Sequence, residues 1–135
     1  MKGFPYSCPI QIRWRDLDAF AHVNNATFAS YLEMARTRVF KDCFGGREAM
    51  EIPFFVTRLE IDYRRPIKLY DKVEVGIRVG WLKGASFTFE YRVESNGETA
   101  ATAVTTLACV ENTTGRPVRL APALRKILES LQTAQ

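Results

Sequence analysis

Apolar residues recur along this chain with two different periods, and the periods predict its elements. Residues 9–15 alternate apolar and polar side chains, which predicts a half-buried strand. From residue 25 to residue 42, apolar side chains recur at steps of three and four, which predicts a helix roughly 27 Å long. The pair Gly45-Gly46 follows, and glycine suits the left-handed residue that often ends a helix.

Four more segments alternate with period two, and turn signals separate them. They cover residues 54–65, 72–81, 86–94 and 99–111. Pro66 closes the first, because proline cannot donate to a strand ladder. Lys83-Gly84 predicts one turn, and Asn96-Gly97 predicts a tight hairpin whose two central residues need positive φ. The first segment is predicted to be one-sided, with its apolar face formed by Phe55, Thr57, Leu59, Ile61 and Tyr63.

The order of elements is therefore β-α-β-β-β-β-α, closed by a short amphipathic helix that begins at Pro122. Strands linked by hairpins predict an antiparallel sheet with one covered face. The long helix is the element that can cover it. The chain is thus predicted to be a single α+β domain over residues 1–135, with a five-stranded sheet around one long helix.

The chemistry concentrates between the first strand and the long helix. This junction holds Asp16, Asp18, the only histidine (His22) and the pair Asn24-Asn25. Either asparagine could cap the helix start, where free N–H groups and the positive dipole end favour negative charge. A carboxylate there could attack a carbonyl carbon, but Asp18 could equally cap the loop through backbone amides. Asp16 is expected to stabilise the loop.

Composition narrows the class of protein. No apolar run approaches the length of a membrane span, and the N-terminus lacks a signal-peptide core, so a cytoplasmic protein is expected. Three cysteines without metal-type spacing predict free thiols and no metal site. The net charge of +4 favours an anionic partner. The basic residues are scattered, and a small phosphorylated ligand fits that pattern as well as nucleic acid does. Nucleic-acid binding is the least favoured function, because the sequence lacks a basic helix and a stacking platform.

The chain resembles the hotdog-fold acyl thioesterases, in the branch of 4-hydroxybenzoyl-CoA thioesterase and its acyl-CoA relatives. The resemblance spans roughly residues 8–112. It depends on Asp16-Leu17-Asp18 with His22-Val23-Asn24-Asn25, and on Tyr63-x-x-Pro66 followed by Asp71. It implies hydrolysis of an acyl- or aryl-CoA by a homodimer or homotetramer, with no cofactor beyond the coenzyme A of the substrate.

The resemblance also implies roles for individual residues. Asp18 matches the catalytic carboxylate, and the amide near Asn25 matches the donor to the thioester oxygen. Asp18 and His22 further match two members of the Asp-x-Asn-x-His triplet of plant acyl-carrier-protein thioesterases, but Phe20 replaces the asparagine. An acyl-carrier-protein substrate, a dehydratase on the same fold and a non-catalytic acyl-CoA-binding protein remain the alternatives.

Substrate contacts are predicted at four further positions. Arg64 and Lys83 are candidates for the phosphates of coenzyme A, and Thr57 could line the pocket or bond locally. Phe20 could shape an acyl or aryl pocket. Three other large aromatic residues could do the same: Phe54, Phe55 and Trp81. For all four, a position in the core is the favoured interpretation.

Overall fold

The computed structural model describes residues 1–45 and 53–132. Its strands are β1 (Tyr6–Ile10), β2 (Phe54–Tyr63), β3 (Val73–Leu82), β4 (Ser86–Ser95) and β5 (Glu98–Cys109). Its helices are α1 (Asn25–Cys43) and α2 (Pro122–Ser130). A short 3-10 turn, Trp14–Asp16, lies between β1 and α1.

All five strands join one antiparallel sheet in the order β1-β3-β4-β5-β2, with α1 packed on one face. The buried side of α1 and the facing side chains of the sheet form one hydrophobic core. The predicted α+β class, the five strands of the sheet and the long helix across one of its faces are confirmed. β1 and β2 are the two edge strands of the described sheet.

The first strand is shorter than its alternating pattern predicts. β1 ends at Ile10, and the exposed Trp14 lies in the 3-10 turn rather than in the sheet. The backbone N–H of Arg13 donates to the Asp16 carboxylate at 2.9 Å, so a side chain closes this turn in place of a strand partner. The alternation of apolar and polar side chains therefore extends beyond Ile10, where β1 stops pairing with β3.

A β-bulge at Thr57 changes which side of β2 faces the core. The register with β5 shifts between Val56 and Arg58. Before the shift, the even-numbered Phe54 and Val56 lie opposite buried residues of β5; after it, the odd-numbered Leu59 does. One extra residue reverses the alternation, because side chains follow a strict period of two. The predicted single apolar face is therefore wrong at Phe55 and Thr57.

The expected core positions of the aromatic residues hold for only one of them. Phe54 packs against Phe87, with ring centroids 4.9 Å apart, in an aromatic cluster under α1. Phe20, Phe55 and Trp81 are exposed, so the prediction of a core position is wrong for these three.

Helix ends and turns follow the sequence closely. Asn96 and Gly97 both have positive φ, as the hairpin requires. Gly45 has φ 70° just past α1, whereas Gly46 lies outside the described residues. α2 begins at Pro122 and buries Leu124 and Leu128. Neither described helix is both long and apolar enough to cross a membrane.

Candidate functional site

The loop before α1 is closed by its own backbone. The N–H of Asp18 donates to the carbonyl of His22 at 2.7 Å, and the N–H of Ala21 donates to the carbonyl of Asp18 at 3.1 Å. Leu17 and Val23 form an antiparallel bridge at the base of the loop. Ala21 adopts φ 61°, an uncommon value for a residue with a side chain. The loop therefore holds a fixed and locally strained shape.

The two carboxylate oxygens of Asp18 have different surroundings. Oδ1 accepts from the N–H of Phe20 at 2.9 Å and from the N–H of His22 at 3.2 Å. For Oδ2, residues 1–45 and 53–132 supply no hydrogen-bond partner. Asp18 is half-buried and lines a cavity. Asp18 thus caps the loop, which the sequence left open beside a catalytic role, and its second oxygen stays available.

The start of α1 offers a free backbone donor next to this carboxylate. The Asn24 side chain accepts from the N–H of Ala26 at 2.8 Å, so Asn24 is the N-cap. Asn25 is the first helical residue, and its N–H has no acceptor within the described residues. It stands at the positive end of the helix dipole, where a developing negative charge is stabilised.

Asp18 and Asn25 border the same cavity of about 280 Å³. Its other lining residues are His22, Val23, Phe28, Tyr63, Arg64, Arg65 and Pro66. The rings of Phe28 and Tyr63 meet edge to face with centroids 5.1 Å apart, which gives the cavity an apolar wall. The cavity is therefore bordered by a carboxylate (Asp18), a free backbone amide (Asn25) and two arginines.

Tyr63 joins the end of β2 to the start of α1. Its hydroxyl donates to the carbonyl of Asn25 at 2.7 Å. The Tyr63-x-x-Pro66 motif indicates this segment in the sequence, but the bond to Asn25 spans 38 residues and has no sequence signal. Sequence reasoning also missed Phe28 and Arg65 as cavity residues.

Asp16 lies beneath the loop and has a structural role, as expected. Its carboxylate is almost fully buried and accepts from the backbone and side chain of Arg13 and from the hydroxyl of Tyr31, the last at 2.8 Å. Burial favours a higher pKa, but these hydrogen bonds outweigh it and hold the pKa of Asp16 below its ordinary value. Asp16 thereby fixes the loop to α1.

The two arginines at the cavity rim differ in their partners. Arg65 forms an ion pair with Glu98 at 2.6 Å. Arg64 has no carboxylate partner among the described residues, although its backbone N–H donates to Ala100 at 2.8 Å. The Arg64 guanidinium is exposed and able to meet an anionic ligand.

Three of the predicted substrate contacts lie outside this cavity. Thr57 occupies the bulge of β2, and its hydroxyl donates to the carbonyl of Thr106 at 3.2 Å, which is the local bond that the sequence allowed. Lys83 lies in the turn between β3 and β4, with its ammonium 4.5 Å from the centre of the Trp81 ring. Phe20 borders a neighbouring cleft.

The structure therefore brings together Asp18, His22, Asn25 and Arg64, and their catalytic or binding roles stay predictions. The imidazole of His22 borders the cavity without a hydrogen-bond partner in the described part of the chain. Within residues 1–45 and 53–132, no three histidine, cysteine or acidic side chains are grouped as metal ligands would be.

The chain is similar to known proteins over nearly its whole length. The family model of the thioesterase-like superfamily matches residues 12–128. The long-chain acyl-CoA thioesterase FadM of Escherichia coli K12 is 32% identical, with 90% of this chain and 96% of that protein aligned. The acyl-CoA thioesterase YbgC of Haemophilus influenzae is 30% identical, with 84% and 86% aligned.

Solved structures agree with this relationship. A thioesterase of Thermus thermophilus, crystallised with coenzyme A and Zn, is 42% identical and superposes with a TM-score of 0.90, covering 98% of this chain and 97% of that one. The PA5185 protein of Pseudomonas aeruginosa is 27% identical with a TM-score of 0.88, covering 98% and 95%. With this fold and this family match, the chain belongs to the thioesterase-like superfamily and is a thioester hydrolase with the hotdog fold.

Proposed function

We propose that the protein hydrolyses acyl-CoA thioesters and that Asp18 is its catalytic carboxylate. One observation carries this proposal: the carboxylate of Asp18, with one oxygen unpaired among the described residues, borders the same cavity as the free amide of Asn25. Two similar proteins are named acyl-CoA thioesterases, and a similar structure contains coenzyme A. These relationships support a CoA thioester as the substrate.

In the proposed reaction, Asp18 attacks the thioester carbonyl carbon or deprotonates a water molecule that attacks it. The negative charge that develops on the carbonyl oxygen is stabilised by the N–H of Asn25, and such a donor contributes about 3 kcal/mol. The C–S bond then breaks and coenzyme A leaves as a thiolate. Where Asp18 is the nucleophile, this step leaves an acyl-Asp18 anhydride, which water hydrolyses to the free acid and the Asp18 carboxylate. A thiol ionises near pKa 8.5, so little protonation is needed. The scheme uses no metal ion and no added cofactor.

His22 has two parts in this scheme. Its backbone fixes Asp18, since its N–H donates to Oδ1 and its carbonyl accepts from the Asp18 N–H. Its imidazole borders the cavity and is placed to carry a proton away from Asp18 or from the attacking water.

Arg64 supplies the positive charge for the phosphates of coenzyme A. Its guanidinium lacks a carboxylate partner in the described chain, whereas Arg65 on the same rim is neutralised by Glu98. Arg64→Ala should raise KM for an acyl-CoA about tenfold and leave KM for the corresponding N-acetylcysteamine thioester, which lacks phosphates, unchanged. Arg65→Ala is the matched control and should change both little.

Lys83 reaches a site only if two copies combine, and we propose a homodimer. The Lys83 turn lies at the Phe55 end of β2, whereas the cavity lies at the Tyr63 end, roughly 26 Å away along the strand. β2 is a ten-residue edge strand with the exposed apolar residue Leu59. Antiparallel pairing of two β2 strands would bring the partner's Lys83 towards the cavity, and further pairing would give the expected homotetramer.

The decisive experiment compares Asp18→Asn with the wild type on a panel of acyl-CoAs, with detection of the released thiol. Asparagine keeps an acceptor for the amides of Phe20 and His22, so the loop should stay folded. Turnover should fall by two to four orders of magnitude, roughly the contribution of a catalytic acid or base. Glu129→Gln, at an exposed position of α2, is the control and should retain turnover within about twofold.

Near-wild-type turnover by Asp18→Asn would contradict the assignment of Asp18. Tight binding of acyl-CoA by the wild type without thiol release would favour the non-catalytic binding protein instead. Faster release from acyl carrier protein than from coenzyme A would favour the carrier-protein alternative. The cytoplasmic location stays a prediction, and sedimentation of the full chain tests the dimer.

A further inference from the structure

Three strongly exposed aromatic side chains lie together beside the catalytic loop. Trp14 is 78% exposed, Phe20 80% and Tyr70 93%. They border a cleft of about 600 Å³, roughly twice the volume of the cavity beside Asp18, which is about 280 Å³. Clustered apolar groups of this kind usually mark a place where a ligand or a protein binds.

Hydrogen-bonded turns hold two of these aromatic side chains on a fixed backbone. Trp14 belongs to the 3-10 turn that Asp16 closes. Tyr70 lies in the turn that Asp71 closes by accepting from the N–H of Lys68 at 2.9 Å. Because the backbone of these turns is already ordered, less conformational entropy is lost when a ligand binds.

His22 connects this cleft to the catalytic cavity, since it borders both. Arg64 borders only the cavity. A thioester whose carbonyl lies at the Asn25 amide and whose phosphates meet Arg64 can therefore extend its acyl chain past His22 into the cleft. The cleft adds about 600 Å³ to the space beside Asp18 that an acyl chain can occupy.

The lining of the cleft is mainly apolar, and its two charged residues are Lys68, whose side chain is exposed, and Asp71. Asp71 has both carboxylate oxygens engaged, by the backbone N–H of Lys68, the hydroxyl of Ser95 and the side-chain amide of Asn96. The aromatic rings of Trp14, Phe20 and Tyr70 and the side chains of Leu17 and Leu69 supply most of the remaining lining. An alkyl chain gains from contact with such a surface, at roughly 25 cal/mol per Å² of apolar area removed from water.

We propose that the cleft bordered by Trp14, Phe20 and Tyr70 is the subsite for the tail of a long, apolar acyl chain. This proposal rests on the proposed acyl-CoA thioesterase function, because it takes the thioester carbonyl to lie beside Asp18. It makes long-chain acyl thioesters the preferred substrates and Trp14 and Tyr70 determinants of chain length.

Tryptophan fluorescence tests the binding directly, without catalysis. The chain has two tryptophans, Trp14 and Trp81. In Trp81→Phe the remaining emission comes from Trp14, and saturating dodecyl-CoA thioether, which cannot be hydrolysed, should shift it to shorter wavelength. Ethyl-CoA thioether should leave it unchanged. In Trp14→Phe, which reports Trp81 on β3, the two compounds should affect the emission equally, because they differ only in the alkyl chain.

Kinetics test the consequence for substrate preference. Trp14→Ala and Tyr70→Ala should each lower kcat/KM for dodecanoyl-CoA about tenfold, a typical effect of lost apolar contacts in a binding pocket. Both should leave kcat/KM for butanoyl-CoA within twofold. Trp81→Ala removes another exposed tryptophan and is the matched control, expected to leave the ratio of the two kcat/KM values unchanged.

The outcomes separate this proposal from the proposed function. Unshifted Trp14 emission with dodecyl-CoA thioether, or equal losses on butanoyl- and dodecanoyl-CoA, would overturn the subsite. A loss of oligomer mass in Trp14→Ala or Tyr70→Ala with unchanged chain-length preference would overturn it too, in favour of an interface between copies. If the wild type hydrolysed no acyl-CoA but Trp14 emission still shifted, the acyl subsite would stand and the catalytic proposal would fail.

Discussion

Asp16 and Asp18 are two residues apart, yet the structure gives them opposite surroundings. Asp16 is 3% exposed and receives hydrogen bonds from Arg13 and Tyr31 that occupy both of its oxygens. Asp18 uses one oxygen for two loop amides and borders the cavity that contains the Asn25 amide. The first carboxylate stabilises the loop, and the second is the one available for chemistry.

The Asp-x-Asp motif identifies the loop in the sequence, but the hydrogen-bond partners of each carboxylate determine whether it has a structural or a chemical role. A carboxylate that is buried and fully bonded contributes mainly to folding. A carboxylate with a free oxygen beside a cavity can act on a ligand. The predictions below test this division, beginning with the largest expected effect.

Asp16→Ala should lower the free energy of unfolding by about 3 kcal/mol, because it leaves the buried hydroxyl of Tyr31 without its acceptor and empties a packed position. Asp18→Asn should change it by less than about 0.5 kcal/mol. Urea unfolding followed by circular dichroism measures both. Equal destabilisation by the two substitutions would show that the division of roles is wrong.

Acid should test the structural role of Asp16 as well. The folded-state pKa of Asp16 is depressed, so its contribution to stability is present above its unfolded pKa near 4 and is lost as pH falls through the lower folded value. Asp16→Asn should therefore lose less unfolding free energy than the wild type between about pH 6 and about pH 3. Unfolding in urea at both pH values measures this, and parallel losses would contradict it.

Tyr63→Phe should mainly affect catalysis, because it removes the bond from β2 to the Asn25 carbonyl at the start of α1. A loss of about 1 kcal/mol, or roughly fivefold in turnover of butanoyl-CoA, is expected. Tyr6→Phe is the matched control, since the Tyr6 hydroxyl bonds to Asp42 near the other end of α1. If both variants slow turnover equally, the effect comes from general loosening of the helix.

Ala21→Gly should have the smallest effect. Ala21 has φ 61°, and glycine adopts this conformation without the steric cost of a side chain. The greater freedom of glycine in the unfolded chain offsets part of the gain, so stabilisation by about 0.5 kcal/mol is expected in thermal unfolding. Ala19→Gly, at an exposed loop position without positive φ, should destabilise slightly. Destabilisation by both would mean that the loop carries no strain at Ala21.

The sequence by itself determined the elements of this protein and most of their ends. Periods of two and of three to four are local consequences of strand and helix geometry, so they identified five strands and two helices. The Asn96-Gly97 hairpin and an asparagine cap at position 24 or 25 follow from equally local chemistry, and the structure uses Asn24 as the cap. The same locality explains why the junction with Asp16 and Asp18 could be selected as the candidate site.

Tertiary structure alone decided how those elements meet. The bulge at Thr57 belongs to the pairing of β2 with β5, so no pattern within β2 shows where its alternation reverses. The bond from Tyr63 to Asn25 and the grouping of Trp14 with Tyr70 join segments distant along the chain. Local periodicity records which side of an element is buried, whereas the neighbours of a side chain are set by the packing of the whole sheet on α1.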